Sequence, residues 1–493
     1  MKKRLLYGCL SLLMVFVLTL FVVPVRTCFS ECFMVSAGRN ATKDGSVLFG
    51  HNEQDGGKIV TRLHVVPRIY HGPGETITFW DTHNTIPQIV GETWAYIWSE
   101  IPNFSNADAF FNEWGVAIAS DACSSKETQP YDLTNGGIYY WLRRLVAERA
   151  KTAREGALLI GELVETYGYA SSGRTYTVAD PDEVWLCHVV AGRHWLAHRV
   201  PDDEVAVLPN RYTTTEVDLT DTKNFLGSAD LISYAIAKGW YDPSSGEPFD
   251  FGKAYGAPSS QYGSSSPIRQ WGGLLLVDGK SYPLDDLPFS VKPNRKFTVK
   301  DVADVLRTHY EGTDKDQTIN GNPHSTGVSI PCGGSTTEGS IFQLRKNMPT
   351  FMNVYWRVQG RPCEGVFVPI YLGILDIPTP YAVGDPATYN LFPLEDRYYD
   401  PNSNYWVFNR MDALVDVDYL VRKPYVRGLW DDIEATEFAL QDEIEKTALK
   451  IYHGKDYHGS EEYLAKWFLT QYSQSLLLDA YYKGLAFIDE LQP

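Results

Sequence analysis

The sequence predicts an α+β or layered α/β fold. Short strand-like segments lead, two amphipathic helices follow, more strands come next, and a helical tail closes the chain. Three observations carry this. Over residues 32–66 apolar residues fall in short runs separated by turn residues. Ile138, Trp141, Leu142, Leu145, Val146 and Arg149 recur at the spacing of one helix face, and residues 158–167 repeat it. Beyond about Tyr425 helical spacing resumes for the rest of the chain.

Taken in order, the first segment is a leader. Lys2, Lys3 and Arg4 precede an apolar run over residues 5–23 that ends at Pro24, the pattern of a secretory signal. Export is therefore expected. The run is also long enough to span a bilayer, which leaves an uncleaved anchor as the alternative. Next, Cys32-Phe33-Met34-Val35 and Ser46-Val47-Leu48-Phe49 flank Lys43-Asp44-Gly45, a hairpin signal. Further strands are expected at residues 115–119, 176–178, 184–190 and 194–200. The serine-rich stretch 258–267 reads as a loop, and residues 378–425, rich in Pro, Tyr and Asp, as a boundary. Two long helices are expected at 431–452 and 461–485, with Tyr463, Trp467 and Tyr472 as core packing.

The composition excludes several classes. The chain has 493 residues, of which 44% are hydrophobic and 21% charged, so it is not a disordered chain, a coiled coil or a multi-span membrane protein. Duplex binding needs a basic face, so a formal charge of −17 argues against a nucleic-acid partner, and an acidic surface repels anionic lipid. Seven cysteines contain no CxxC pair, so neither a zinc ribbon nor a dense disulfide framework is supported. Metalloprotease, Walker, dinucleotide and EF-hand motifs are absent, and Ser335 does not sit in G-x-S-x-G. His194 and His198 fall in a strand-like run and read as structural. Cys187 and His188, adjacent on a presumed strand, face opposite ways and form no nucleophile–base pair.

Cys32 is the remaining candidate nucleophile. If the chain were cut after Glu31, one residue would carry both a thiol, with a pKa of about 8.5, and an α-amine of about 7.7–8.0. The amine then accepts the thiol proton near neutral pH, the N-terminal form of nucleophilic catalysis. The competing reading is a buried strand cysteine.

The run from Cys32 through Gly38, Ala41, Asp44-Gly45-Ser46 and Gly50 to Asp55 resembles the start of the cysteine-nucleophile dipeptidases of the Ntn-hydrolase superfamily. Their further motifs recur in order: Asn112-Glu113-Trp114-Gly115-Val116, residues 148–155 (ERAKTARE), Trp185 with residues 197–203 (AHRVPDD), and His309-Tyr310-Glu311-Gly312-Thr313. The resemblance covers residues 32–381. It implies an Ntn-hydrolase αββα four-layer sandwich, here with a C-terminal helical extension. Residues 1–31 would be the signal and a short propeptide, 32–380 the catalytic domain and 381–493 the extension.

The resemblance also implies hydrolysis of dipeptides or short peptides without metal or other cofactor, with Cys32 attacking the carbonyl. Asn210 is similar to the strand-end Asn that positions substrate and oxyanion in bile-salt hydrolases and penicillin acylases. Arg269, before Gln270-Trp271, resembles the Arg that steadies the nucleophile there. Substrate-binding candidates are His51, Asn52, Glu53, Asp55, Asn112 and Asp121. Two departures stand out. His51 occupies a position where relatives carry Arg or Lys, with the role of the following Asp shifted to Asp55 or to Glu53. Asp121 lies near the position where relatives place an oxyanion Asn, and an ionised carboxylate there would repel the oxyanion. An N-acyl amide hydrolase on the same fold and a non-catalytic surface protein are the alternatives. Nucleic acid and membrane beyond the leader are not expected as partners, and homo-oligomerisation stays open.

Overall fold

The computed structural model describes residues 31–54, 60–101, 106–263, 265–319, 321–383, 399–454 and 459–492. The signal-like leader and Asp55 lie outside the described residues. Among the described residues no helix is long and apolar enough to cross a membrane.

Two antiparallel sheets form the centre. The first has seven strands, in the order Ser290–Val291, Val205–Leu208, Phe33–Ala37, Val47–Gln54, Thr336–Leu344, Val354–Gln359 and Val368–Tyr371. The second has eight: Phe225–Gly227, Trp195–Arg199, Val184–Gly192, Tyr169–Ala179, Ala117–Ala122, Asn106–Asn112, Tyr96–Ile101 and Arg62–Val66. The expected hairpin forms, with Gly45 at φ 77° supplying the left-handed turn residue.

Alternation along each strand builds the layers. Met34, Val47 and Phe49 of the first sheet share one core with Ala117, Ala119, Phe111 and Leu186 of the second. The rings of Phe111 and Phe342 meet across that interface at 5.3 Å. Each such buried aromatic contributes about 1.5–3 kcal/mol. The intervening residues Val35 and Leu48 point outward, to the helices Ser265–Asp278 and Val299–Arg307. On the far side of the second sheet, Trp185 and Val178 pack on Trp141–Arg149 and Ala153–Tyr167. Helix, sheet, sheet, helix is the αββα order.

One close approach fixes the register of the first sheet against its outer helix. Gly50 lies under Val299–Arg307, where a Cβ would come within 2.5 Å of Val302 Cγ1. That helix starts at a capping box, in which Thr298 Oγ1 accepts from Asp301 N and Thr298 N donates to Asp301 Oδ2.

Local expectation failed in three places. Tyr463 and Trp467 are exposed on the last helix rather than packed in a core. Residues 258–267 are not a loop: Pro258–Tyr262 is helical, and Ser265, Ser266 and Pro267 open Ser265–Asp278, where Ser and Pro suit a first turn. The boundary segment contains the helix Asn404–Val417, and the next helix, Tyr419–Tyr452, begins before Pro424. Together with Glu461–Leu491 these helices feed Val407, Met411, Trp430, Leu477 and Phe487 into the inter-sheet core. They also cover the edge strand Val368–Tyr371, where Ser473 Oγ accepts from Tyr371 N at 3.4 Å and, just beyond, Thr470 Oγ1 accepts from Leu375 N at 2.9 Å.

Candidate active site

Register sets the site. Met34 pairs with His51 on one side and with Leu208 on the other. Continuing both ladders by two residues puts Cys32 between Glu53 and Asn210. The Cys32 thiol donates to Glu53 Oε1 at 3.5 Å. His51 and Glu53 alternate with Phe49 and so face the space between the sheets. From the opposite sheet Asp121, alternating with Ala117 and Ala119, faces the same space. Ligand atoms of Cys32, His51 and Asp121 lie within 4.8 Å of one another, and His51 Nε2 is 3.7 Å from Asp121 Oδ1.

Arg269 ties the other side together. Buried in Ser265–Asp278, it donates from Nη1 to the carbonyls of both Glu31 and Cys32, the latter at 2.8 Å. Its Nη2 donates to Asn210 Oδ1 at 2.9 Å. That bond orients the Asn210 amide, leaving Nδ2 buried with no hydrogen bond among the described residues. Glu31 is held too: its N donates to Gln54 O at 3.3 Å, and its Oε1 accepts from Ser329 Oγ at 2.6 Å.

The candidate residues therefore separate. Cys32, His51, Glu53, Asp121, Asn210 and Arg269 converge. Asn52 instead faces the outer helix, its Nδ2 donating to Leu306 O at 2.8 Å and Pro331 O at 2.9 Å. Being one residue out of phase with His51, it is turned away from the thiol. Asn112 is a turn anchor: Nδ2 donates to Ala147 O and Ala150 O, and Oδ1 accepts from Trp114 N and Val116 N. All its polar capacity goes to backbone. Asp55 is outside the described residues. What residue-by-residue reading missed is that His51 and Asp121, on different sheets, approach one sulfur; the phase of Asp121 with two alanines was the available signal.

Other polar groups are structural. Burial pushes the Cys123 thiol up to about 12 and the Cys187 thiol up as well, so neither offers a thiolate. His188 is pulled down to about 3 by burial and sits between Thr175 and Thr214 hydroxyls. His198 is stacked between Phe225 and Phe289.

Burial raises the Asp121 carboxyl above its ordinary value, against the opposing pull of His51, Arg174 and Arg269. A raised acid contributes stability at low pH and loses it as pH climbs past about 3.9, the unfolded value, through the folded one. Asp121→Asn is therefore expected to raise the melting temperature relative to the parent at pH 7 but not at pH 4. An equal shift at both values would show that Asp121 is not held against its charge.

A family model described as Peptidase family C69 matches residues 31–432. The chain belongs to this family. As a C69 peptidase it is a hydrolase of peptide bonds, in a family of cysteine-type dipeptidases. The C69 relatives include a "Probable dipeptidase" of Salmonella dublin, 29% identical over 70% of this chain and 81% of the relative. Another, of Latilactobacillus sakei, is 28% identical over 85% of this chain and 90% of the relative. Among solved structures, penicillin V acylase from Agrobacterium tumefaciens is similar at 12% identity and a TM-score of 0.37, over 69% of this chain and 86% of that one.

Proposed function

We propose that this C69 peptidase is an exported dipeptidase whose mature chain begins at Cys32. Export is inferred from the leader sequence, and the dipeptide substrate class from the C69 relatives. The arrangement around Arg269 carries the mechanistic reading: one guanidinium spans the carbonyls of Glu31 and Cys32 and also sets the amide of Asn210.

Once Glu31 is gone, the Cys32 α-amine takes the proton from Sγ as sulfur adds to the substrate carbonyl. Asn210 Nδ2, the donor left over by Arg269, receives the oxyanion. The amine passes its proton to the leaving amino group and the acyl-enzyme forms. Water then attacks; its proton goes to the amine, and Sγ leaves with a proton returned from it. Glu53 and Asp121 supply negative charge beside the nucleophile, suited to an ammonium, either that of Cys32 or that of a substrate with a free amino end. His51 stands beside both as a proton donor held by Asp121.

Before maturation the same groups address the Glu31–Cys32 bond. Arg269 polarises the carbonyl that would have to be attacked, which makes self-processing the economical route. The test is the intact mass and N-terminal sequence of the protein secreted by its natural host, with turnover of free dipeptides and of N-acyl amino acids. A Cys32 terminus with dipeptide cleavage is expected. Selective cleavage of the acylated compounds would replace the dipeptidase reading by an amide hydrolase, and an active protein retaining Glu31 would defeat the amine as base.

A further inference from the structure

Away from the nucleophile, four side chains with soft or borderline ligand atoms meet: His309, His324, Cys332 and Cys363, with ligand atoms all within 4.8 Å of one another. The Cys363 Sγ to His324 Nε2 distance is 3.4 Å. A tetrahedral zinc with Zn–S of about 2.3 Å and Zn–N of about 2.0–2.1 Å requires ligand separations of about 3.3–3.8 Å, so side-chain adjustment alone closes the site. Both cysteines are buried, and neither is in a disulfide.

The outer contacts have the form a metal needs. His309 Nδ1 is 2.8 Å from Glu311 Oε1 and His324 Nδ1 is 3.0 Å from Asp416 Oδ1. A carboxylate on Nδ1 fixes the proton there and turns the Nε2 lone pair inward, the usual support of a metal-bound imidazole. Arg361 Nη1 also approaches His324 Nδ1, at 2.5 Å, but it already donates to Asp416 Oδ1 at 2.7 Å, while its Nη2 donates to Oδ2 at 2.7 Å. Most telling is His309 Nε2. His309 is fully buried, and with Nδ1 on Glu311 this nitrogen has the Cys363 thiol beside it but no regular hydrogen-bond geometry. A merely hydrogen-bonded cluster would leave it poorly satisfied, at a cost; a cation satisfies it.

We infer that His309, His324, Cys332 and Cys363 form a structural zinc site. Binding forms two Zn–S and two Zn–N bonds and releases the two thiol protons to solvent, so the ion and its ligands are neutral together. Four protein ligands leave no open position, which makes the site structural rather than catalytic.

The fold gives the ion a task. From Thr308 to Ser335 the chain connects the helix Val299–Arg307 to the strand Thr336–Leu344 with only the short turn of helix Pro323–Ser325 among its described residues. Loops beyond about 12–15 residues need something to order them. Three ligands lie on this connection, and the fourth lies between the strands Val354–Gln359 and Val368–Tyr371. The turn after His309 holds Tyr310 at φ 68°, strained for a bulky residue, and so needs outside support. The same connection supplies Ser329 to Glu31 and Pro331 O to Asn52 and Gln54, so zinc would brace the wall beside the nucleophile.

The experiment uses the full protein, purified without chelator. Metal analysis is expected to find one zinc per chain. After stripping, Co²⁺ should restore a thiolate-to-cobalt absorption band and visible bands of tetrahedral type. Cys332→Ser combined with Cys363→Ser should lose the zinc, whereas Cys187→Ala should keep it. Glu311→Gln and Asp416→Asn should each weaken zinc binding about 10–100-fold, and they cover the case in which the double variant does not fold. The inference is overturned if the reduced parent takes up neither Zn²⁺ nor Co²⁺. It is equally overturned if peptide mapping of the native protein shows a Cys332–Cys363 disulfide, or if the double variant folds and retains its zinc. None of these readouts depends on dipeptide turnover, so the site stands or falls apart from the proposed mechanism.

Discussion

Cys32→Ala is expected to lower kcat/KM on dipeptides by about 10⁴- to 10⁶-fold, the range for loss of an enzyme nucleophile. No nearby group takes over. The Cys123 and Cys187 thiols are pushed up by burial and belong to packed cores. Neither His51 nor Asp121 would be the first residue of the mature chain, so neither carries an α-amine of its own to take up and return the proton. The variant should fold with an unchanged melting temperature to within a few degrees, since a small side chain replaces a small one. It should also keep Glu31, because the atom that would attack the preceding carbonyl is gone. Cys32→Ser separates the two tasks: a hydroxyl nucleophile retains some of both, more weakly. The measurements are steady-state kinetics and intact mass on the same preparation. Activity within tenfold of the parent would remove Cys32 from the chemistry, and normal loss of the leader in Cys32→Ala would assign processing to another protease.

How much of this could be read beforehand depends on how far apart in the chain the cause lies. The hairpin carrying Cys32 was legible because Asp44-Gly45 and the flanking apolar runs act over a dozen residues. The helix over 141–149 was legible from spacing, since one face must be buried. The helical start at Ser265-Ser266-Pro267 was not, because those residue types suit a loop and a helix first turn equally. Tyr419–Tyr452 runs past Pro424, and Asn404–Val417 hides in Pro- and Tyr-rich sequence, because packing against the inter-sheet core outweighs local preference there. In the site, Cys32 was reached by elimination before the family resemblance supported it, whereas Asn210 and Arg269 were found through that resemblance, and the meeting of the three depends on ladder register and on one helix, neither encoded locally. Asn52 and Asn112 were misleading: a motif asparagine that anchors a turn looks the same in sequence as one that meets substrate. The cluster of His309, His324, Cys332 and Cys363 was invisible to spacing rules, since those recognise ligands from one compact module, whereas here a long connection and a strand–strand link bring them together.

Asn210→Ala is expected to lower kcat by about 10²–10³-fold, the cost of one oxyanion donor. The argument is one of leftover capacity. Arg269 claims Asn210 Oδ1, Ser260 and Ser266 hydroxyls claim its backbone oxygen, and Nδ2 is buried without a bond among the described residues, opposite Cys32 where the ladder with the neighbouring strand is continued by two residues. An interaction made only as charge develops reduces kcat and kcat/KM together and leaves KM nearly unchanged. Arg269→Met should be at least as damaging, because it frees the Asn210 amide to turn and removes the donor to the Cys32 carbonyl. Since Arg269 acts partly through Asn210, the double variant should lose much less than the product of the two single losses. Rates are normalised to the fraction of chains beginning at Cys32, read by mass, so that a processing defect is not counted as a catalytic one. A raised KM with unchanged kcat in Asn210→Ala would make it a ground-state binding residue. Fully multiplicative losses in the double variant would mean that Arg269 supports the nucleophile strand alone and leaves the amide to orient itself.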